Sequence, residues 1–318
     1  MRASLEIKNL EIRFGAAQPV RDVSLTIESG SAVGVVGESG SGKSLTSLAV
    51  MGLLPKTAHT SGSIFWGGRD LLSARESDRR EIRGREVAMI FQDPMSSLNP
   101  SFTVGFQIDE VLKYRLGISS AEARRERGLR LLAEVGIPAP SERWNAYPYQ
   151  LSGGMSQRVS IAMALAAEPK LLIADEPTTA LDVTVQMQIL ELLAKLKKTH
   201  GMSLLFVTHD LAVASKVCDE IAVFYAGRSV ERGAATELLA NPKHPYTQAL
   251  LRARPQPGHR PRTRLNSIKG LVPRATEMIS GCAFASRCDK VFERCTRESP
   301  PAYKTAENGF ARCWLLEK

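Results

Sequence analysis

The chain has 318 residues, 43% of them apolar, and 42 Lys and Arg against 33 Asp and Glu give a formal charge of +9; that is enough for one large domain and an appendage. No run approaches the roughly 18 consecutive apolar residues that a membrane span needs: Leu45 to Leu54 leans furthest that way, but it holds Thr46, Ser47 and Gly52 and stops at Pro55. Much of the basic excess falls in Arg79 to Arg85 with Arg124 to Arg130, read as solvated helical faces, and in Arg252 to Arg264, read as a linker; no aromatics interleave with it, so direct nucleic-acid binding is not expected.

In chain order, Leu5, Ile7, Leu10, Ile12 and Phe14 read as a strand without the apolar block of a secretion signal, so a cytoplasmic chain is expected. Val23, Leu25 and Ile27 alternate as a second strand, and the run Ala32 to Gly37 suits a strand buried on both faces of a parallel sheet. Directly after it, Gly37-Glu38-Ser39-Gly40-Ser41-Gly42-Lys43-Ser44 fits G-x-x-x-x-G-K-[ST], with a helix expected to begin near Ser44. Here Gly37, Ser39, Gly40 and Gly42 form a cradle whose glycines let backbone N–H groups turn toward phosphate oxygens at a helix N-terminus. Lys43 is placed to reach the β- and γ-phosphates, and the Ser44 hydroxyl to ligate Mg²⁺.

Helical periodicity dominates residues 104 to 168. Leu171 to Ala174 and Leu204 to Val207 read as buried strands, with an amphipathic helix at 183–199 between them: an α/β crossover. The first of these strands ends in Asp175 and Glu176. Successive strand side chains face opposite ways, but at a strand end the chain can turn both acids toward a nucleotide. Asp175 would then hold Mg²⁺ through its water shell and Glu176 would polarise the attacking water. The structural alternative is a pair of capping residues before Pro177. Further on, the prolines of Asn241-Pro242-Lys243-His244-Pro245-Tyr246-Thr247 stop one helix, and another is expected to be capped near Tyr246.

Pro255 to Arg264 is proline- and arginine-rich without periodicity, a linker to a small module. The module carries Cys282, Cys288, Cys295 and Cys313, spaced C-x₅-C-x₆-C-x₁₇-C. In a cytoplasmic chain these do not read as disulfides. Four thiolates can hold Zn²⁺ or an iron–sulfur cluster; the short knuckles of structural zinc are absent, and four unligated thiols are the third possibility. Cys218, alone on a helix-like stretch, reads as a buried apolar residue.

Leu151-Ser152-Gly153-Gly154-Met155-Ser156-Gln157-Arg158 resembles the LSGGQ signature of ABC ATPases. Gln92 (Q-loop), Ala180-Leu181-Asp182 (D-loop) and His209 (switch) follow the same family's order. The resemblance implies an α/β fold: a P-loop (RecA-like) ABC nucleotide-binding domain with an antiparallel β subdomain and a helical subdomain, plus the small cysteine-bearing module. The expected boundaries are 1–250 for the cassette, with its helical subdomain at about 93–160, then 251–264 for the linker and 265–318 for the module. In such proteins two cassettes pair head to tail around ATP. Ser152, Gly153 and Gly154, at a helix start and so a second anion site, would serve the partner-bound nucleotide. Asp182 would line the same interface, and His209 would contact the γ-phosphate region. Gln92 would sense Mg²⁺, and Phe14 would stack on adenine. Ser156 stands where related signatures carry a long polar residue; it is expected on the solvated side.

Phe91-Gln92-Asp93-Pro94-Met95-Ser96-Ser97-Leu98-Asn99-Pro100 and Asn241 to Thr247 look like the oligopeptide/dipeptide importer branch, and within it the D-type ATPase subunit. That implies ATP hydrolysis driving import of di- or oligopeptides. The alternatives are another cargo of the branch (glutathione, opine, nickel chelate, sugar) or, from a different class, a soluble ABC ATPase acting on nucleic acid. The implied partners are a second, distinct ATPase subunit, two membrane permeases and an external solute-binding protein, with the chain peripheral at the cytoplasmic face of the inner membrane. Several members of this branch carry a cysteine-ligated [4Fe–4S] cluster in such a tail, which the resemblance extends to the four cysteines here.

Overall fold

A computed structural model describes residues 5–93, 97–179, 181–253, 267–306 and 309–317. The chain divides into two compact units. One comprises Ile27–Ala32 with Ser73–Val207; the other comprises Leu5–Thr26, Val33–Leu72 and Thr208–Lys318.

The first unit holds three parallel strands in the order β6 (Val87–Ile90), β7 (Leu171–Asp175) and β8 (Ser203–Thr208). Val87 pairs with Leu171 and Leu171 with Ser203, up to Asp175 opposite Val207. Every residue of β7 and β8 is buried, as unbroken apolar runs require of strands covered on both faces. The helix Val183–His200 joins β7 to β8, and the helices Val104–Leu116, Ala121–Glu134 and Gly153–Leu165 fill the stretch of helical periodicity. Thr103 and Ser120 cap two of them by accepting the N–H groups of Phe106 and Ala123. The indole of Trp144 is seated where side chains are missing: a Cβ at Gly105 would lie 2.2 Å from the ring and one at Gly128 2.1 Å.

Arg124 departs from its expected solvated face. It is buried, and its Nε donates to Asp109 at 2.7 Å while one terminal nitrogen serves the carbonyls of Ile118 and Ser119 at 2.9 and 2.8 Å. A guanidinium can leave water when its donors are matched in this way.

The second unit has the strand order β5-β4-β1-β2-β10-β9-β3. These are β1 (Leu5–Phe14), β2 (Ala17–Ile27), β3 (Ala32–Val36), β4 (His59–Trp66), β5 (Arg69–Asp70), β9 (Glu220–Tyr225) and β10 (Arg228–Ala234). β1 and β4 are antiparallel, β3 and β9 parallel. In β1 the apolar positions change parity between Ile7 and Leu10, yet Leu5, Ile7, Leu10 and Ile12 are all buried. The register slips between Lys8 and Glu11, with Asn9 at φ 46°; this bulge returns Leu10 and Ile12 to the face that Leu5 and Ile7 occupy. Near the C-terminus β12 (Phe310–Ala311) pairs with both β10 and β11 (Tyr303–Lys304), so the cysteine-bearing segment is tied to the sheet by main-chain bonds. Most of the expected linker, from residue 254, lies outside the described residues. No described helix is long and apolar enough to cross a membrane.

Candidate functional site

In the second unit the phosphate loop follows β3 and opens the helix Lys43–Met51. Two of its glycines are explained locally. A Cβ on Gly37 would lie 2.2 Å from the Phe224 carbonyl oxygen, and Gly42, the N-cap, sits at φ 97° with a Cβ position 2.7 Å from the carbonyl oxygen of Pro19. Ser39 and Gly40 are exposed, Ser44 is half-buried and Lys43 is buried. Lys43 Nζ donates to the carbonyls of Gly37 and Glu38 at 2.7 and 3.0 Å, which poises its charge inside the loop. Phe14 ends β1 half-buried. His209 is exposed directly after β8, and Asp210 beside it caps the short helix Leu211–Ser215 by accepting two backbone N–H groups.

In the first unit β7 delivers a buried Asp175 and then Glu176 at φ 47°. This left-handed residue re-aims the chain at the strand end. Its N–H donates to Val207 O at 2.9 Å, and its carboxylate accepts from Gln92 Nε2 at 3.3 Å and Thr179 Oγ1 at 3.0 Å. Two residues predicted for the site, Gln92 and Glu176, are thus brought together across 84 positions of sequence. Thr179 was not predicted; one threonine after a strand–proline junction gives no signal of its own. The capping alternative does not hold, because the next helix starts at Val183 under Asp182, whose Oδ1 accepts the Val185 N–H at 2.9 Å.

Ser152 caps the helix Gly153–Leu165, its Oγ accepting the Met155 N–H at 3.3 Å, and Ser152 and Gly153 are exposed. A Cβ on Gly154 would stand 2.7 Å from Val185 Cγ1, so this helix start is packed on the helix that Asp182 begins. Ser156 contradicts its expected solvated position: it is fully buried. The helical turn carries it inward, while Arg158 two residues on donates to Val135 O at 2.6 Å and to Gln188 Oε1 at 3.1 Å.

Cys282, Cys288, Cys295 and Cys313 all line one small cavity, together with His244 and Trp314. Burial pushes the Cys282 thiol up to about 11, helped by the other three sulfurs, and also raises Cys288 and Cys313, which favours the protonated form of these three. Among the described residues no three His, Cys, Asp or Glu side chains are grouped closely enough to hold a single metal ion. Cys218 is buried, as expected, with its sulfur against Gly34.

The ABC transporter family model matches residues 20–179, and the model for the oligopeptide/dipeptide transporter C-terminal region matches residues 230–295. The chain is 50% identical over 303 residues to the dipeptide transport ATP-binding protein DppD of Haemophilus influenzae, covering 94% of this chain and 91% of that protein. It is 46% identical to the oligopeptide transport ATP-binding protein OppD of Bacillus subtilis, covering 98% and 88%. Among solved structures, the dimeric ATP-binding cassette MJ0796 bound to ADP and Pi in a post-hydrolysis state is 31% identical, with a TM-score of 0.64 over 73% of this chain and 98% of that one. The family model over residues 20–179 and the relatives of 46–50% identity over nearly the whole chain agree: the chain is a member of the ATP-hydrolysing ABC transporter family, in the branch that carries the oligopeptide/dipeptide transporter C-terminal region.

Proposed function

We propose that this chain is one of two ATPase subunits that energise import of di- or oligopeptides, working at the cytoplasmic face of the membrane beneath two permeases fed by an external solute-binding protein. The observation that carries this reading is near full-length similarity to two peptide-transport ATP-binding proteins, which extends through the C-terminal region as well as the cassette.

In this proposal the loop Gly37–Ser44 cradles the phosphates, with Lys43 leaving the carbonyls of Gly37 and Glu38 for phosphate oxygens. Ser44 carries a hydroxyl, Asp175 a buried carboxylate and Gln92 an amide, each an oxygen donor of the kind Mg²⁺ takes, and the ion when bound would offset phosphate charge. Glu176 orients the attacking water and takes its proton, held ready by Gln92 and Thr179. His209 faces the γ-phosphate region and Phe14 the adenine. Ser152, Gly153, Gly154 and Asp182 act on nucleotide held by the second subunit.

The four cysteines suit a [4Fe–4S] cluster. They share one cavity, burial raises the thiols of Cys282, Cys288 and Cys313, and Phe284 and Trp314 line the same cavity. A bound cluster would cross-link four separate segments of the module.

Two measurements test these assignments. Uptake of a labelled dipeptide, lost when the gene is deleted, should return with the wild-type chain and not with Glu176→Gln, which retains ATP binding while turnover falls about 10²- to 10⁴-fold. Intact dipeptide uptake in the deletion would overturn the cargo, and import supported by Glu176→Gln would overturn the base. Anaerobically purified protein should carry about four irons and four sulfides per chain with thiolate-to-iron absorption; one zinc, or no metal, would overturn the cluster.

A further inference from the structure

The cysteine module reaches the phosphate loop through one side chain. Arg287, the residue before Cys288, makes a two-pronged ion pair with Glu38, the second residue of the loop: its terminal nitrogens donate to the two carboxylate oxygens at 2.6 and 3.1 Å. The arginine side chain is only 3% exposed. It is fixed from behind by its Nε, which donates to Lys269 O at 2.9 Å, and its guanidinium lies 5.8 Å from the ring centre of Tyr225 and 6.0 Å from that of Phe284. A planar fork held in this way has little freedom left to lose.

A second group grips the same loop residue. The Glu38 N–H donates to the hydroxyl of Tyr246 at 2.9 Å. Tyr246 is fully buried; it stands on the helix Pro245–Arg252, and its ring packs 4.6 Å from that of Tyr225. The Glu38 carbonyl in turn accepts Lys43 Nζ and the Ser41 N–H at 3.0 and 3.2 Å. The carboxylate, N–H and carbonyl of Glu38 are thus all engaged: the first two by residues beyond the ABC motifs, the third by the loop itself. The loop's own sequence explains only that third contact.

We propose that Arg287 and Tyr246 are positioning residues for ATP binding, and that the cysteine module serves the ATPase as a brace which holds the phosphate loop in its nucleotide-receiving shape. Neither residue belongs to the phosphate cradle; both act through Glu38. A loop fixed before the ligand arrives loses less freedom on binding, so the brace should appear in affinity. Ground state and transition state share the loop equally. Loss of the brace should therefore raise KM for ATP and leave kcat nearly unchanged.

The inference rests on the assignment of Gly37–Ser44 as the phosphate site, and the experiment separates the two. Affinity for a fluorescent ATP analogue is measured on the full chain, and KM and kcat on the assembled transporter, for wild type, Arg287→Ala, Arg287→Lys, Tyr246→Phe, Glu38→Gln and the double variant Glu38→Gln/Arg287→Ala. Arg287→Ala should raise Kd and KM about tenfold, with kcat within about twofold. Arg287→Lys, which keeps the charge but loses the fork, should fall between, and Tyr246→Phe should show a smaller rise. The double variant should be no worse than either single change, since both remove one interaction. Unchanged Kd in folded Arg287→Ala and Tyr246→Phe, whatever their thermal stability, would overturn the brace. A fall in kcat at constant KM would overturn it too. If Arg287→Ala does not fold, Arg287→Lys and Tyr246→Phe decide. A wild-type chain that binds no nucleotide would instead overturn the phosphate-site assignment.

Discussion

Glu176 holds a left-handed backbone at φ 47°, which costs a non-glycine residue on the order of 1–2 kcal/mol. Its N–H bond to Val207 and the two side-chain bonds to its carboxylate offset that cost, and the conformation re-aims the chain directly after Asp175, bringing the Glu176 carboxylate to Gln92 and Thr179. The adjacency of Asp175 and Glu176 was legible in the sequence; the twist that makes it useful was not, because nothing in a glutamate announces positive φ. Charge was the other point where single residues misled. Arg124 sits in a run of arginines that resembles a solvated face, yet it pairs with Asp109 on the preceding helix and with the carbonyls of Ile118 and Ser119 in the turn before its own. Arg124→Ala strands the Asp109 carboxylate, so it should cost about 3 kcal/mol. Denaturant titration should show Arg124→Ala/Asp109→Asn recovering part of that loss, whereas a neutral Arg124→Ala would mean the pair is solvated after all.

Regular elements followed their periods closely. The helix Val183–His200 and strands β7 and β8 lie where apolar spacing put them, because each buries a face that only its own period can keep buried. The helix after Pro242 is capped by His244, whose Nδ1 accepts the Tyr246 N–H at 3.1 Å, two residues earlier than read from the sequence; Pro245 takes the first helical position, where a missing N–H costs nothing. Packing between elements was the hidden part. The ion pair of Glu38 and Arg287 joins positions 249 residues apart, and no local pattern encodes it. The seat of Trp144 is similar, made by absent side chains on the helices Val104–Leu116 and Ala121–Glu134. Gly105→Ala and Gly128→Ala should each cost about 1–3 kcal/mol by overpacking against the indole, lowering the melting temperature. In a Trp144→Leu background, where the ring is gone, either alanine should cost far less. Equal costs in both backgrounds would place the effect in helix propensity or in another contact.

The permease partners in the proposed function need a docking face on this chain. In the first unit Phe102 and Phe106 stack with ring centres 4.6 Å apart while 42% and 45% exposed, and Tyr114 on the same helix as Phe106 is 67% exposed. Exposed aromatics gathered on one short stretch tend to mark a contact site. The stretch falls within the helical subdomain expected at about 93–160. The phosphate loop belongs to the other unit and the carboxylate of Glu176 faces Gln92 and Thr179, so a change at Phe106 leaves the atoms assigned to hydrolysis in place. Phe106→Glu should therefore fold and bind ATP as the wild type does. It should fail to co-purify with the permeases and should lose the ATPase stimulation that they confer. A charged residue at a buried aromatic contact is strongly disfavoured, because its carboxylate must leave water without a partner. Full retention of the complex and of stimulated turnover would show that the permeases dock elsewhere, whereas loss of ATP binding would show that Phe106 supports the fold of its unit rather than a partner.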